Sequence, residues 1–197
     1  MSPTGSGLRQ RKNEQTRQAI TTAALEIASE VGFGQTTVAQ IAERADVSPR
    51  TVHAWFPSKD DIIVVDASSA RISQLEEALE SDGDGDTLDR ILLWLEDVSA
   101  SRTEPRELMR QRYRILLSDP QLRALQRGRM EGVEKLIAVS MARESGHAPN
   151  ALGPRALAAA IVTMLLAMQE LFAYSRDADE ADFASAVRML RAAFDSL

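Results

Sequence analysis

An all-α fold follows from three features of this 197-residue chain. Helix formers dominate it from end to end. Alternating β-branched runs are nearly absent. Apolar residues recur three and four apart, between short breaks rich in Gly, Pro, Asp and Ser. Nine helices are expected: three short ones in an N-terminal head, one bridging, and five in a larger body.

The first eight residues, rich in Gly, Ser and Pro, are expected to be disordered, within an arm covering residues 1–12. A first helix is predicted from about Asn13 to Glu30, with Ile20, Ala24, Ile27 and Val31 on one face. Gly32 stops it. Thr36 or Thr37 can N-cap a second helix whose inner face is Val38, Ile41, Ala42 and Ala45. Ser48 can cap a third, with Pro49 at its first position, where a missing N–H costs nothing. Pro57 ends it. Ser58 caps a fourth, predicted to run to about Leu79. The run "SDGDGD" (81–86) reads as a linker. Five body helices are predicted beyond it: Thr87–Ala100, Glu104–Leu117, Pro120–Glu144, Pro154–Arg176 and Ala181–Phe194. The implied division is an arm at 1–12, a head at 13–60 and a body at 61–197.

Composition narrows the function. Hydrophobic residues make up 44% of the chain, enough for a core. No run of about 18 apolar residues stands out, so no membrane span is expected. The polar start "MSPTGSGLRQRKNEQ" lacks the apolar segment of a secretory signal. There are no cysteines. Disulfides, thiol catalysis and cysteine-ligated metals are therefore excluded, and a cytoplasmic location fits. The formal net charge is −6, unevenly spread. Residues 1–60 carry seven Lys/Arg against six acids; residues 61–197 carry 16 against 23. An acidic body beside a locally basic head keeps nucleic acid off the wrong surface.

The head carries the motif with chemical content. Helix two, a tight turn and helix three form a helix-turn-helix. Ala42 is small where the two helices cross. Asp46 stands where the turn needs φ > 0, which Asp tolerates better than most residues. Ile41, Val47 and Val52 supply the apolar lock. Helix three then exposes Arg50, Thr51, His53 and Ala54, while Val52 and Phe56 turn inward. Arginine can bond guanine bidentately, and an Ala or Thr methyl can meet the thymine methyl, as a helix in the major groove requires.

These residues resemble the TetR family of transcriptional regulators over about Arg17 to Ile63. The resemblance is carried by "RQAITTAALEIASEVGF", by "TTVAQIAERADVSPRTVHAWFPSKDDI" and by the Phe56-Pro-Ser-Lys59 junction. Two positions depart from the usual pattern: Asp46 replaces a turn glycine, and His53 stands where Tyr is common. The resemblance, with the chemistry of the side chains, implies a set of DNA contacts. Arg50 and Thr51 would read bases. Thr37, with Thr36 beside it, would meet phosphate at the start of helix two, and Lys59 would do so by charge at the start of helix four. His53 and Trp55 would lie near the DNA backbone. Ser48 and Pro49 would place helix three, and Arg17, with Arg9, Arg11 and Lys12, would run along the phosphates.

One head reads few base pairs, so two heads on a two-fold axis are expected to read a palindromic operator in double-stranded DNA. A homodimer is therefore expected. Phe183, Val187, Leu190, Phe194 and Leu197 recur in steps of four and three, a stripe suited to that interface. The segment "ALAAAIVTMLLAMQELFAY" is apolar nearly all round and needs burial on most sides. Met164, Met168 and Phe172, with Trp94, Met109, Tyr113 and Met141, are candidates to line an apolar cavity for a small-molecule effector, methionine being adaptable. A filled core is the plainer alternative for each.

The run "RQRYRILLSDPQLRALQ" resembles the body of a TetR subgroup typified by the mycofactocin-system regulator. That resemblance implies an acyl-CoA-like ligand, with Arg110, Arg112, Arg114, Arg123, Arg127 and Arg129 as candidates for its anionic head. A solvated arginine face is the alternative. The TetR resemblance further implies repression relieved by ligand, with the fourth helix as lever.

No cofactor and no metal are expected. Enzymes are disfavoured by inventory: the two histidines are His53 and His147, and no Gly-rich phosphate loop, HExxH or Gly-x-Ser-x-Gly is present. A ligand-independent architectural DNA binder remains the other alternative.

Overall fold

The structure is a computed structural model. It describes residues 5–64, 68–80, 85–100 and 104–175, together with Ser185, Arg188, Met189, Arg191 and Ala192. Among the described residues it is helical and without strands. Among the described residues nine helices have bounds: α1 (Gly5–Val31), α2 (Val38–Arg44), α3 (Pro49–Trp55), α4 (Lys59–Val64), α5 (Ser68–Glu80), α6 (Thr87–Ala100), α7 (Arg106–Ser118), α8 (Pro120–Glu144) and α9 (Leu152–Tyr174). A single 3-10 turn, Phe33–Gln35, joins α1 to α2. The predicted fourth helix corresponds to α4 and α5, with residues 65–67 outside the described set. The five isolated residues near the C-terminus are helical and fall on the predicted last helix.

One expectation at the N-terminus is corrected. Residues 5–12 are helical rather than a disordered arm, because α1 begins at Gly5. The stretch Leu8-Arg-Gln-Arg-Lys-Asn-Glu-Gln15 holds mostly good helix formers and no proline, so the helix continues through it.

The chain forms two compact units. The first takes residues 1–66 and 104–123, so it is larger than the 13–60 segment marked by the motif. Its core joins Ile20, Ala24, Leu25 and Ile27 of α1 to Ile41 of α2, Val52 of α3 and Ile62 of α4. Ile115 and Leu116 of α7, and Leu122 at the start of α8, complete it. Val31, expected on the buried face of α1, is instead 49% exposed, since it sits on the last turn before Gly32. Two polar side chains fix α7 to this unit. Gln111 Nε2 donates to Leu25 O (3.1 Å) and Ser29 Oγ (2.7 Å) on α1. Arg112, buried, donates from Nη1 to the Ile62 and Ile63 carbonyls at 2.7 and 3.0 Å. Those carbonyls end α4, where a helix leaves acceptors open and favours positive charge. Glu104 neutralises the same guanidinium from the other side at 2.7 Å.

The second unit takes residues 67–103 and 124–197. Leu75 and Leu79 of α5, Ile91 of α6, Val133 and Ile137 of α8, and Ala158, Ile161 and Val162 of α9 form its core. Glu144 at the end of α8 caps α6 from a distance. Its carboxylate accepts from the Thr87 backbone N–H at 2.8 Å and from the Thr87 hydroxyl at 2.6 Å. After α8 the chain turns on Gly146 at φ 68, with His147 N–H donating to Ala142 O at 2.8 Å. His147 is exposed and its ring nitrogen meets Ser145 Oγ at 3.0 Å, a local loop contact.

The segment expected to be apolar nearly all round forms α9. Leu152–Tyr174 is long and apolar enough to cross a membrane by length and composition, with a window of mean hydropathy 1.9, of which 22% is buried. A helix that packs into a core passes the same test, and Ala158, Ile161 and Val162 of α9 do pack there.

Candidate nucleic-acid interface

The geometry of the first unit is set by end-caps written into the sequence. Thr37 is the N-cap of α2. Its hydroxyl accepts from Gln40 N–H, while Gln40 Oε1 accepts from the Thr37 N–H at 2.9 Å. This reciprocal box satisfies two otherwise open donors. At the other end, Asp46 adopts φ 53, as the turn was expected to require. Asp46 N–H donates to Glu43 O (3.2 Å) and Val47 N–H to Ala42 O (2.9 Å). That pair of bonds closes a helix end through one left-handed residue, and here an aspartate fills the place glycine usually takes.

Two residues later Ser48 caps α3, accepting from Thr51 N–H at 3.0 Å, with Pro49 at the first helical position. The Ser48 and Thr51 hydroxyls also meet at 2.8 Å. Phe56 ends α3 in extended geometry, as the residue before Pro57 must. Ser58 and Asp61 then form a second box at the start of α4: Ser58 N–H donates to Asp61 Oδ2 (3.0 Å) and Asp61 N–H to Ser58 Oγ (3.2 Å).

The sides of α3 are chemically distinct. Val52 and Phe56 are fully buried in the core. Arg50, His53 and Ala54 are exposed, as are Ser48 and Pro49, and Thr51 is half-buried. Trp55 is half-buried and packs against the core at the edge of this face. Thr37 is exposed at the start of α2. Arg17 is half-buried with its guanidinium 5.8 Å from the centre of the Phe56 ring, so α1 braces the end of α3. Arg11 and Lys12 are exposed further along α1.

Two of the candidate DNA contacts sit differently from the expectation. Thr36 is 2% exposed and its hydroxyl donates to Gly32 O at 3.0 Å. It is a core residue, not a surface one, because its hydroxyl closes the bend after α1. Lys59 is half-buried, and its Nζ donates to Phe33 O and Thr36 O, both at 3.0 Å, above the Phe33 ring at 4.5 Å.

Sequence reasoning missed one brace. Arg44, at the end of α2, holds Glu30 bidentately at 3.0 Å and Glu26 at 3.3 Å, tying α2 to α1. Hydrogen bonding from Arg44 holds the Glu30 carboxyl below the usual carboxylate range. The spacing of Glu26 and Glu30 on one face of α1 was the available signal, without a partner to attach to it. The Gln40 box was also missed, its signal being Thr-x-x-Gln after Thr37.

The effector candidates are spread over both units. Met109 (buried) and Tyr113 (half-buried) lie on α7 in the first unit. Met141 is buried in the core of the second unit, with Trp94 packed against it. Met164, Met168 and Phe172 are half-buried along α9. Of the candidate arginines, Arg112 is buried and committed to Glu104 and the α4 carbonyls. Its place as a ligand contact is corrected: it is a structural clamp. Arg110 is also buried, while Arg114, Arg123 and Arg127 are exposed. The interface candidates Phe183, Val187, Leu190 and Phe194, and Leu197, lie outside the described residues.

Comparison with known proteins agrees with this architecture. The family described as "Bacterial regulatory proteins, tetR family" matches residues 20–64, which run from the middle of α1 to the end of α4. The "MftR C-terminal domain" family matches residues 94–197. The HTH-type transcriptional regulator TcmR of Streptomyces glaucescens is 29% identical over 151 residues, 77% of this chain; the match spans 57% of TcmR. A Mycobacterium tuberculosis protein named for mycofactocin biosynthesis regulation, MftR, is 28% identical over 81% of both chains. Among solved structures, native NalD, the secondary repressor of the MexAB-OprM multidrug efflux pump in Pseudomonas aeruginosa, superimposes with a TM-score of 0.63 at 26% identity. That match covers 88% of this chain and 93% of NalD. With a helix-turn-helix of this geometry and a C-terminal half that matches along its whole length, the chain is a DNA-binding transcriptional regulator and belongs to the TetR family.

Proposed function

We propose that the protein is a homodimeric repressor that binds a palindromic operator and is released from it by a small, largely apolar effector held in the body. The observation that carries the DNA side of this reading is α3 itself. Its buried face (Val52, Phe56) is fixed to the core, so its outer face presents Arg50, Thr51, His53 and Ala54 in one geometry. Arg50 and Thr51 are assigned to base edges, and His53, Trp55 and Thr37 to the DNA backbone. Ser48 and Pro49 start the reading helix, and Arg17 braces its end.

Support for a dimer comes from α9, where Leu171 and Tyr174 remain 48% and 63% exposed on a helix of high mean hydropathy. A second copy would cover such a face, together with the stripe from Phe183 to Phe194. Support for an effector comes from the apolar, methionine-bearing body. The resemblance of this half to the mycofactocin-regulator subgroup implies an acyl-CoA-like ligand within that class. Among the candidate arginines of the second unit, Arg127 is exposed and would then meet an anionic head. The cytoplasm is the compartment where such a regulator meets its DNA.

The test is enrichment of sheared genomic DNA by the purified protein, followed by sequencing. A motif with two-fold symmetry is expected. Binding to all fragments alike would instead support an architectural DNA binder.

A further inference from the structure

We propose that Gly128 and Gly132 form a hinge inside α8, and that the bend of this helix links DNA binding by the first unit to the packing of the second. This rests on the regulator reading above and names an element that carries its regulation.

The chain passes between the two units at 66–67, 103–104 and 123–124. The third passage falls inside α8, so one continuous helix belongs to both units. That helix is anchored near each end. Leu122 is fully buried in the first core. Asp119 Oδ1 caps the helix, accepting from the Gln121 and Leu122 N–H groups at 2.8 and 3.1 Å. Gln121 Nε2 also donates to Asp60 Oδ2 in the first turn of α4, at 3.2 Å. Further along α8, Val133, Ile137, Ala138 and Met141 are buried in the second core. Between these anchors, from residue 123 to residue 132, Gln126 is the only buried side chain. Apolar packing is thus thinnest where the helix changes unit, and local opening costs least there.

The two glycines stand in this stretch. Neither adopts a positive φ. A Cβ added at either would meet nothing within 4 Å. Backbone conformation and packing therefore give no reason for glycine at these positions. Glycine is the weakest helix former after proline, because it gives up the most backbone freedom. Both residues are exposed, and they are four apart. In an α-helix the Gly132 N–H pairs with the Gly128 carbonyl, so one rung has no side chain at either end to shield it from water. Sharp bends in helices concentrate at such places.

A bend there turns residues 120–127 against residues 133–144. The first stretch is tied to α4, which follows the reading helix after Phe56, Pro57 and Ser58. The second carries core side chains of the other unit. DNA that selects one state of the first unit selects one bend. A packing of the second unit that favours another bend weakens DNA binding by the same factor.

The test compares hydrogen exchange in wild type, Gly128→Ala, Gly132→Ala, the double variant and Gly153→Ala. The last is the same change in the first turn of α9, where a Cβ also has open space. In DNA-free wild type, amides 128–136 should exchange about ten-fold or more faster than amides 137–142 of the same helix. Each substitution in α8 should slow them about five-fold, and Gly153→Ala should leave them unchanged. A duplex drawn from the genomic fragments that the wild type enriches should slow amides 128–136 more than amides 137–142. That difference should persist in Gly153→Ala and vanish in the double variant. Exchange at 128–136 no faster than at 137–142, or a duplex effect unchanged in the double variant, overturns the proposal. If the wild type enriches no DNA, the regulator reading fails. The comparison of the free proteins then still decides whether α8 is hinged.

Discussion

The two units are built from the same amino-acid classes yet differ in how their shape is specified. In the first, α2, α3 and α4, of six or seven residues each and packed on the longer α1 and α7, are fixed by named end-caps: Thr37–Gln40, Asp46, Ser48 with Pro49, and Ser58–Asp61. Helices that short cannot stand by propensity alone, so their ends and a few core side chains decide everything. In the second, helices of 13 to 25 residues are set by broad apolar packing, and an individual side chain matters less. The lesson is that a helix-turn-helix of short helices demands exact local geometry, whereas a unit of long helices can be specified by pattern.

The sharpest way to break this contrast is at Arg112, the buried clamp between α7 and the end of α4. Arg112→Met leaves Glu104 and two carbonyls without the guanidinium, which should cost about 3–5 kcal/mol of stability. Urea unfolding should show the loss. A volume-conserving change in the body core, Met141→Leu, should cost under about 1.5 kcal/mol in the same assay. Equal losses at the two sites would erase the distinction.

A middle-sized effect is expected at Asp46. Alanine cannot exploit local hydrogen bonding at φ 53, so Asp46→Ala should destabilise the protein by about 1 kcal/mol. Asp46→Gly should be neutral or mildly stabilising, since glycine adopts that conformation freely. Thermal unfolding distinguishes the pair. Were alanine tolerated as well as glycine, the turn would not be the constraint described.

The smallest effect belongs to the body. Arg191 pairs with Asp86 (2.8 Å) and with Asp89, at the start of α6. Hydrogen bonding from Arg191 holds the Asp89 carboxyl below its ordinary range. A depressed folded-state value means the stabilisation is present above the unfolded value near 4 and is lost as pH falls through the folded one. Both side chains are about a third exposed, so solvent screening limits the contribution to under about 1 kcal/mol. Arg191→Met should therefore be slightly less stable than wild type at pH 7, with the gap closing below about pH 4.

The same contrast explains what was legible in the sequence. The helix-turn-helix could be read almost residue by residue, because Ser-Pro and Asp46 are local signals whose partners lie within a few positions. The burial of Thr36 and the reach of Lys59 are not legible, because their partners, Gly32 O and the Phe33 and Thr36 carbonyls, are backbone atoms with no sequence signature. Arg112 was grouped with ligand arginines for a similar reason: its partners on α4 lie 49 and 50 residues away. In the body, helix spans were legible to within a few residues, but an apolar stripe does not say which residues face a core, a cavity or a second subunit. Met109 and Met141, paired on composition, belong to different units.

The central claim is that α3 reads base pairs through its exposed face, and one measurement tests it directly. Genomic DNA is enriched and sequenced in parallel with wild type and Arg50→Ala, both checked for equal thermal stability. The account predicts the same two-fold motif from both proteins, with the variant losing preference at one base pair in each half-site, a change of about 1–3 kcal/mol there. An identical motif and affinity from the variant would contradict it.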